Sequence, residues 1–170
     1  RVGCRVIRHP GPIVLQSHDH YCGPACVESL LSGAGYTTDT AALLRATRAT
    51  VKHGTDPEDL AAILEAAKLR PIIDEHMSKE ELVERLDVGP VIAAIAAYRS
   101  GHWVTVVGVT ARRVIVMDPA TNRRAYRSLL WSDWLRRWHD TDRRGRPRVR
   151  LGISVRARCR RHAIEKGIPE

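Results

Sequence analysis

The sequence predicts an α+β fold of two lobes in a single domain of 170 residues: a helical lobe over about residues 16–87, a twisted antiparallel sheet over about residues 88–156, and a basic C-terminal tail at 157–170. Three observations predict it. Before residue 88, apolar residues recur at three- and four-residue spacing behind helix-start signals. After residue 88, short β-branched or apolar runs are broken by Gly, Pro, Asp and Asn, the punctuation of strands. The strands also follow the helices as a block, which argues against a βαβ alternation.

Each element has its own signal. Ile13–Leu15 is a short extended lead-in. Cys22–Leu31 is a helix, with Val27, Leu30 and Leu31 at helical spacing, Pro24 in its first turn, and Gly33 and Gly35 as its stop. Asp39–Thr47 is a second helix, capped by Thr38 or Asp39. Thr55 with Glu58 reads as a capping box opening a third helix that carries Leu60, Ile63 and Leu64 on one face. Ser78 with Glu81 opens a fourth, bearing Leu82, Val83 and Leu86. Strands are expected at Pro90–Ala97, Trp103–Val109, Arg113–Met117 and Arg124–Tyr126. Ser132–Trp138 is a short helix whose neighbourhood holds Trp131, Trp134 and Trp138, an aromatic face suited to packing on the sheet. Arg148–Val155 alternates Val149, Leu151, Ile153 and Val155, the period of a strand with one buried face.

Composition narrows the classes. Hydrophobic content of 44% and charged content of 28% are ordinary for a globular protein. No apolar run reaches the roughly 20 residues of a membrane helix; the longest, residues 88–98, is a buried strand. Net charge is +9, from 28 Lys/Arg and 19 Asp/Glu, and it gathers at the C-terminal end. Arg143, Arg144, Arg146, Arg148 and Arg150 surround Gly145 and Pro147, the composition of a loop. No aromatic residues interleave with them, so nucleic acid is not expected as a partner. Of the four cysteines, Cys4 and Cys159 could form a terminal bridge, but the spacing is not that of a disulfide scaffold. The chain opens on Arg1 and has no secretory apolar segment, so it reads as a processed or excised segment, and a reduced cytoplasmic setting is expected.

The chemistry concentrates in Gln16-Ser17-His18-Asp19-His20-Tyr21-Cys22-Gly23-Pro24-Ala25-Cys26. A cysteine in the first turn of a helix faces unpaired N–H groups and the positive helix end, which favour a thiolate nucleophile. Gly23 keeps the backbone beside the sulfur uncluttered for an approaching substrate. Gln16, six residues upstream, can point an amide donor at an oxygen that becomes negative during attack. A thiolate nucleophile also needs a base and a group that orients the base. His102 supplies the base, at the mouth of an apolar strand after Ser100-Gly101. Asp118 ends the next strand, where an antiparallel pairing brings it beside His102 to hold Nδ1–H.

Gln-x5-Cys-Gly-Pro-Ala-Cys, then Gly-Pro-Val-Ile-Ala, then Gly-His-Trp-Val-Thr-Val-Val-Gly-Val, then Val-Ile-Val-Met-Asp-Pro-Ala, in this order from Gln16 to about Trp134, resembles the C39 peptidase family. The resemblance implies a papain-like fold. It implies a cysteine peptidase in which Gln16 takes the oxyanion position, Cys22 the nucleophile, His102 the base and Asp118 the third member. It implies no metal or cofactor, and a peptide or protein substrate, often a leader cut after a double glycine. It also implies a separate ABC transporter as a partner, since this sequence contains neither membrane spans nor a phosphate-binding loop. Tyr21 departs from the pattern, standing where many members carry Asp.

Other readings share these residues. A peptidase-shaped domain can capture a leader without cutting it, and an acyl transferase or amidase can use the same triad. His18, His20, Cys22 and Cys26 are the donor types of a zinc site, although two alternate on an extended segment while two lie on a helix. Cys26, one turn after Cys22, reads as core packing, with a regulatory disulfide as the alternative.

Overall fold

The computed structural model describes residues 7–9, 11–97, 100–120, 126–142 and 144–156. Cys4, Cys159 and the basic tail, with the bridge and charge surface expected of them, lie outside these residues. Along the chain run β1 (Ile7–Arg8), α1 (Cys22–Gly33), α2 (Thr40–Ala46), α3 (Pro57–Ala66), β2 (Pro71–Asp74), α4 (Lys79–Leu86), β3 (Val91–Ala97), β4 (Ser100–Val109), β5 (Arg113–Met117), β6 (Arg127–Leu130), α5 (Trp131–Arg137), β7 (His139–Thr141), β8 (Pro147–Val149) and β9 (Gly152–Val155). The fold is α+β and papain-like, with a large antiparallel sheet ordered β2-β9-β3-β4-β5-β6.

The sheet has a core on each face. Along β3, Ile92 and Ala94 join Cys22, Cys26, Leu30, Leu60 and Trp103 in one cluster. Val91, Ala93 and Ile95 join Leu82, Leu86, Val104, Val106 and the three tryptophans in the other. Period-two alternation thus sends successive β3 side chains to opposite cores. Helices on both sides explain why residues 91–95 are all buried and read as one apolar run. Trp131, Trp134 and Trp138 are buried, and the Trp134 and Trp138 rings lie 5.2 Å apart.

Several local signals act as read. Asp39 caps α2 through its carboxylate, which accepts from Ala41 N–H and Ala42 N–H. Ser78 and Glu81 form the reciprocal capping box of α4. Others differ. α3 begins at Pro57 after Asp56 with no side-chain cap, because proline at N1 already fixes the start and needs no donor partner; Thr55 instead offers its carbonyl to Trp103 Nε1. Ile13–Leu15 runs outside regular structure, in keeping with a lead-in to α1, and a further strand not expected from sequence lies before it, with Ile7 opposite Val109. The strand expected over Arg124–Tyr126 lies largely outside the described residues. Tyr126 itself is not in a strand, and β6 starts at Arg127.

The strand expected over Arg148–Val155 divides in two. Arg150 has φ +52°, and its N–H donates to the Trp138 carbonyl. That left-handed residue turns the chain from its hairpin with β7 into the main sheet, where β9 inserts between β2 and β3. β9 is consequently buried on both faces rather than one. A side chain at Gly152 would put Cβ 2.9 Å from the Met77 methyl and 3.1 Å from Val91 Cγ1. A larger residue there would have to push the flexible Met77 side chain aside. β2, in the midst of the helices, was not legible as a strand: its four residues gain their pairing from β9, about 80 residues downstream.

Candidate active site

Three elements converge. α1 starts at Cys22, β4 carries His102 as its third residue opposite Ile95, and Asp118 follows the last residue of β5. The β4–β5 register, Thr105 opposite Met117 and Val106 opposite Val116, sets the end of β5 beside the early part of β4. His102 Nε2 lies 2.8 Å from Asp118 Oδ1. Both side chains are nearly sealed, at 5% and 1% exposure. A carboxylate only accepts, so Nε2 carries the proton of this bond. This corrects the expectation that Asp118 holds Nδ1. Nδ1 is left for the Cys22 side, and His102 also hydrogen-bonds Cys22.

The helix start suits a thiol. Tyr21 at the N-cap makes no side-chain cap bond, and the first turn holds no acidic residue. The first intrahelical bond to Tyr21 is made by Ala25 N–H. The Cys22 and Gly23 N–H groups therefore have no intrahelical acceptor, and the positive end of α1 is left to the site. Tyr21 turns away, its hydroxyl donating to Glu28 Oε2 at 2.8 Å. Gly23 also has a packing reason to be small. It is buried, and a Cβ there would stand 3.2 Å from Leu60, Thr55 and Trp103. Glycine lets α1 close on α3 and β4.

Gln16 is tethered to the same corner: its N–H donates to the Pro119 carbonyl at 2.9 Å. Its side-chain Oε1 is buried and meets no partner among the described residues. Cys26 is fully buried and, like Cys22, a free thiol; burial pushes its pKa well up. The alternative zinc set does not assemble. Among the described residues no three His, Cys, Asp or Glu side chains form a metal-holding group, and the His18 and His20 rings stack on each other with centroids 5.7 Å apart.

The electrostatics of the His–Asp pair are strongly biased. Burial pulls the His102 pKa down, but its bonds to Asp118 and Cys22 outweigh that and hold it at about 9. Burial raises the Asp118 carboxyl, and His102, the Ala120 N–H and Arg127 outweigh it to give about 2. An imidazolium set between a carboxylate and a thiol is the electrostatic partner a thiolate nucleophile needs.

Two neighbours were missed from sequence. Arg127 Nη1 lies 2.5 Å from Asp118 Oδ2. It arrives through the β5–β6 register, which sets it opposite Val116, and nothing in the spacing marks one arginine among many. Asp140, on β7, rests on the backbone of Gly101, and a Cβ at Gly101 would collide with the Asp140 carboxylate. Gly101→Ala is therefore expected to cost about 1–3 kcal/mol through overpacking, with most of it regained in the Gly101→Ala/Asp140→Ala double variant. Urea unfolding of the single and double variants measures this. Equal stability of Gly101→Ala and wild type would show that the contact imposes no constraint.

Residues 11–134 match the peptidase C39 family. Among solved structures, the chain resembles a double glycine motif protease from an AMS/PCAT transporter, solved with its leader peptide, at 15% identity and TM-score 0.69 over 87% of this chain and 92% of that one. It resembles the peptidase domain of Streptococcus ComA, a bi-functional ABC transporter of a quorum-sensing pathway, at 19% identity and TM-score 0.64 over 88% and 100%. A protein described as a C39-like peptidase from Bacillus anthracis matches at 16% identity and TM-score 0.72 over 91% and 99%. The chain has no match among curated proteins. These likenesses establish the fold, no helix of the described residues is long and apolar enough to cross a membrane, and the match over residues 11–134 places the chain in the peptidase C39 family.

Proposed function

We propose that the protein is a cysteine peptidase in which Cys22 is the nucleophile, His102 the acid–base group, Asp118 the residue that orients and charges the imidazole, and Gln16 an oxyanion donor. The observation that carries this reading is the His102 Nε2–Asp118 Oδ1 contact of 2.8 Å on a ring that also bonds Cys22. The Cys22 thiolate attacks the peptide carbonyl carbon, and the carbonyl electrons move to oxygen. Gln16 and the Cys22 N–H face that oxyanion. As the tetrahedral intermediate collapses, His102 delivers a proton to the departing amine, leaving an acyl-thioester. His102 then takes a proton from water, the hydroxide attacks the thioester carbon, and Cys22 leaves as thiolate beside the His102 imidazolium, releasing the acid product.

The substrate we propose is a peptide leader ending in a double glycine, with a separate ABC transporter as the partner that exports the product. The support is the named function of the AMS/PCAT protease and the ComA domain, carried here by fold and family. A reduced, cytoplasmic setting accords with the free Cys22 and Cys26 thiols. We take residues 1–170 as one domain of this type.

The test incubates double-glycine leader peptides with wild type and with Cys22→Ala, with and without an added amine, and reads products by mass spectrometry. Hydrolysis after the second glycine by wild type alone is the expected result. Amide products with the amine would assign acyl transfer instead. Binding without any product would make the domain a leader-capture module.

A further inference from the structure

We propose that Arg127 is a positioning residue of this site: its guanidinium pins Oδ2 of the buried Asp118 carboxylate so that Oδ1 stays turned to His102, and the imidazole stays oriented toward Cys22. The proposal rests on the catalytic reading of Cys22, His102 and Asp118.

The Asp118 carboxylate is divided between two sides. Oδ1 accepts from His102 Nε2 at 2.8 Å and from the Ala120 N–H at 3.0 Å. Oδ2 accepts from Arg127 Nη1 at 2.5 Å. The carboxylate is 1% exposed while the arginine side chain is 44% exposed. Arg127 thus reaches in from the surface and delivers a fixed charge to a buried anion. A buried carboxylate stripped of one charged partner shifts toward its neutral form. A carboxylate released at Oδ2 no longer holds Oδ1 on His102 Nε2, and the imidazole loses its fixed orientation toward Cys22.

Other charged and titratable groups face the pair. From α1 come Cys22 and Cys26, the latter sensing both Cys22 and Asp118. From β7 comes Asp140, which senses His102 as well as Arg148 and His139. Of these described groups none is a cation at Oδ2: Cys22 acts on His102, and Asp140 is itself acidic. The β5–β6 pairing of Val116 with Arg127 fixes the arginine's backbone, so its placement is a property of the sheet. Lysine supplies the charge from a flexible stem without the planar guanidinium.

The experiment follows the pH dependence of Cys22 alkylation by iodoacetamide in wild type, Arg127→Met and Arg127→Lys, with the labelled site located by peptide mapping. In Arg127→Met the acid limb of the labelling profile is expected to move up by about one pH unit, giving about tenfold slower labelling on that limb and a much smaller change on the alkaline side. Arg127→Lys falls between. A fall of the same size at every pH, or a profile superposed on wild type, overturns the proposal. Wild-type labelling no faster than a free thiol strikes the catalytic reading itself, whereas accelerated wild type with an unshifted Arg127→Met strikes only the role of Arg127.

Discussion

Cys22→Ala is expected to abolish peptide hydrolysis, with a loss of about 10⁴-fold to 10⁶-fold in rate, while leaving the fold and peptide binding intact. The size follows from what the substitution removes. Without the sulfur no acyl-enzyme forms, and only the oxyanion donors and substrate positioning remain to assist water. The fold survives because alanine keeps the helix start: α1 draws its stability there from Ala25 N–H bonding Tyr21 and from Gly23 packing on Thr55, Leu60 and Trp103. The same experiment has a thiol-selective form. Cys22 is 5% exposed beside His102, whereas Cys26 is 0% exposed and its thiol is pushed far up by burial. Iodoacetamide, with the label located by peptide mapping, should modify Cys22 and spare Cys26. Cleavage persisting in Cys22→Ala, or Cys26 labelled first, would sink the assignment.

Much of this was legible in the sequence because it is written locally. The start of α1 is marked by Pro24 and the apolar spacing behind it; α4 is marked by Ser78 and Glu81, whose reciprocal bonds need only four consecutive residues. The convergence of His102 and Asp118 was legible too, because two adjacent antiparallel strands determine which ends meet. What escaped depends on partners remote in sequence. β2 is a strand only because β9 returns to pair with it. The break at Arg150 is imposed by the Trp138 carbonyl and by the exchange of partners from β7 to β3. The choice of imidazole nitrogen could not be read either: it turns on the side from which Asp118 meets the ring, and only the folded sheet settles that. The packing demand on Gly23 was not legible either, since it comes from Thr55, Leu60 and Trp103, remote in sequence.

The charge on Asp118, as distinct from its shape, is what Asp118→Asn isolates. Asparagine can still accept from His102 Nε2 through Oδ1, so geometry is largely kept while the anion is lost. His102 and Arg127 then face each other across a neutral group, and burial alone drives the imidazole toward its neutral form. Cys22 loses its imidazolium, and alkylation near pH 6 is expected to fall by about 100-fold. Stability reports the same charge with a defined sign. The Asp118 carboxyl sits at about 2 in the fold against an ordinary 3.8, so its contribution is present above 3.8 and is lost as pH falls through 2. His102 sits at about 9 against 6.5, so its contribution is complete below 6.5 and is lost as pH rises through 9. Both describe one interaction, strongest between about pH 4 and 6.5 and worth on the order of 2–3 kcal/mol. Urea unfolding at about pH 5.5 and about pH 9.5 should therefore show wild type losing that much more stability on going alkaline than Asp118→Asn does. Titrating groups that do not couple to His102 are shared by the two proteins and cancel in the comparison. Parallel pH dependence in the two would mean that the buried pair is not charged in the native state, and the thiolate–imidazolium account of Cys22 would lose its electrostatic basis.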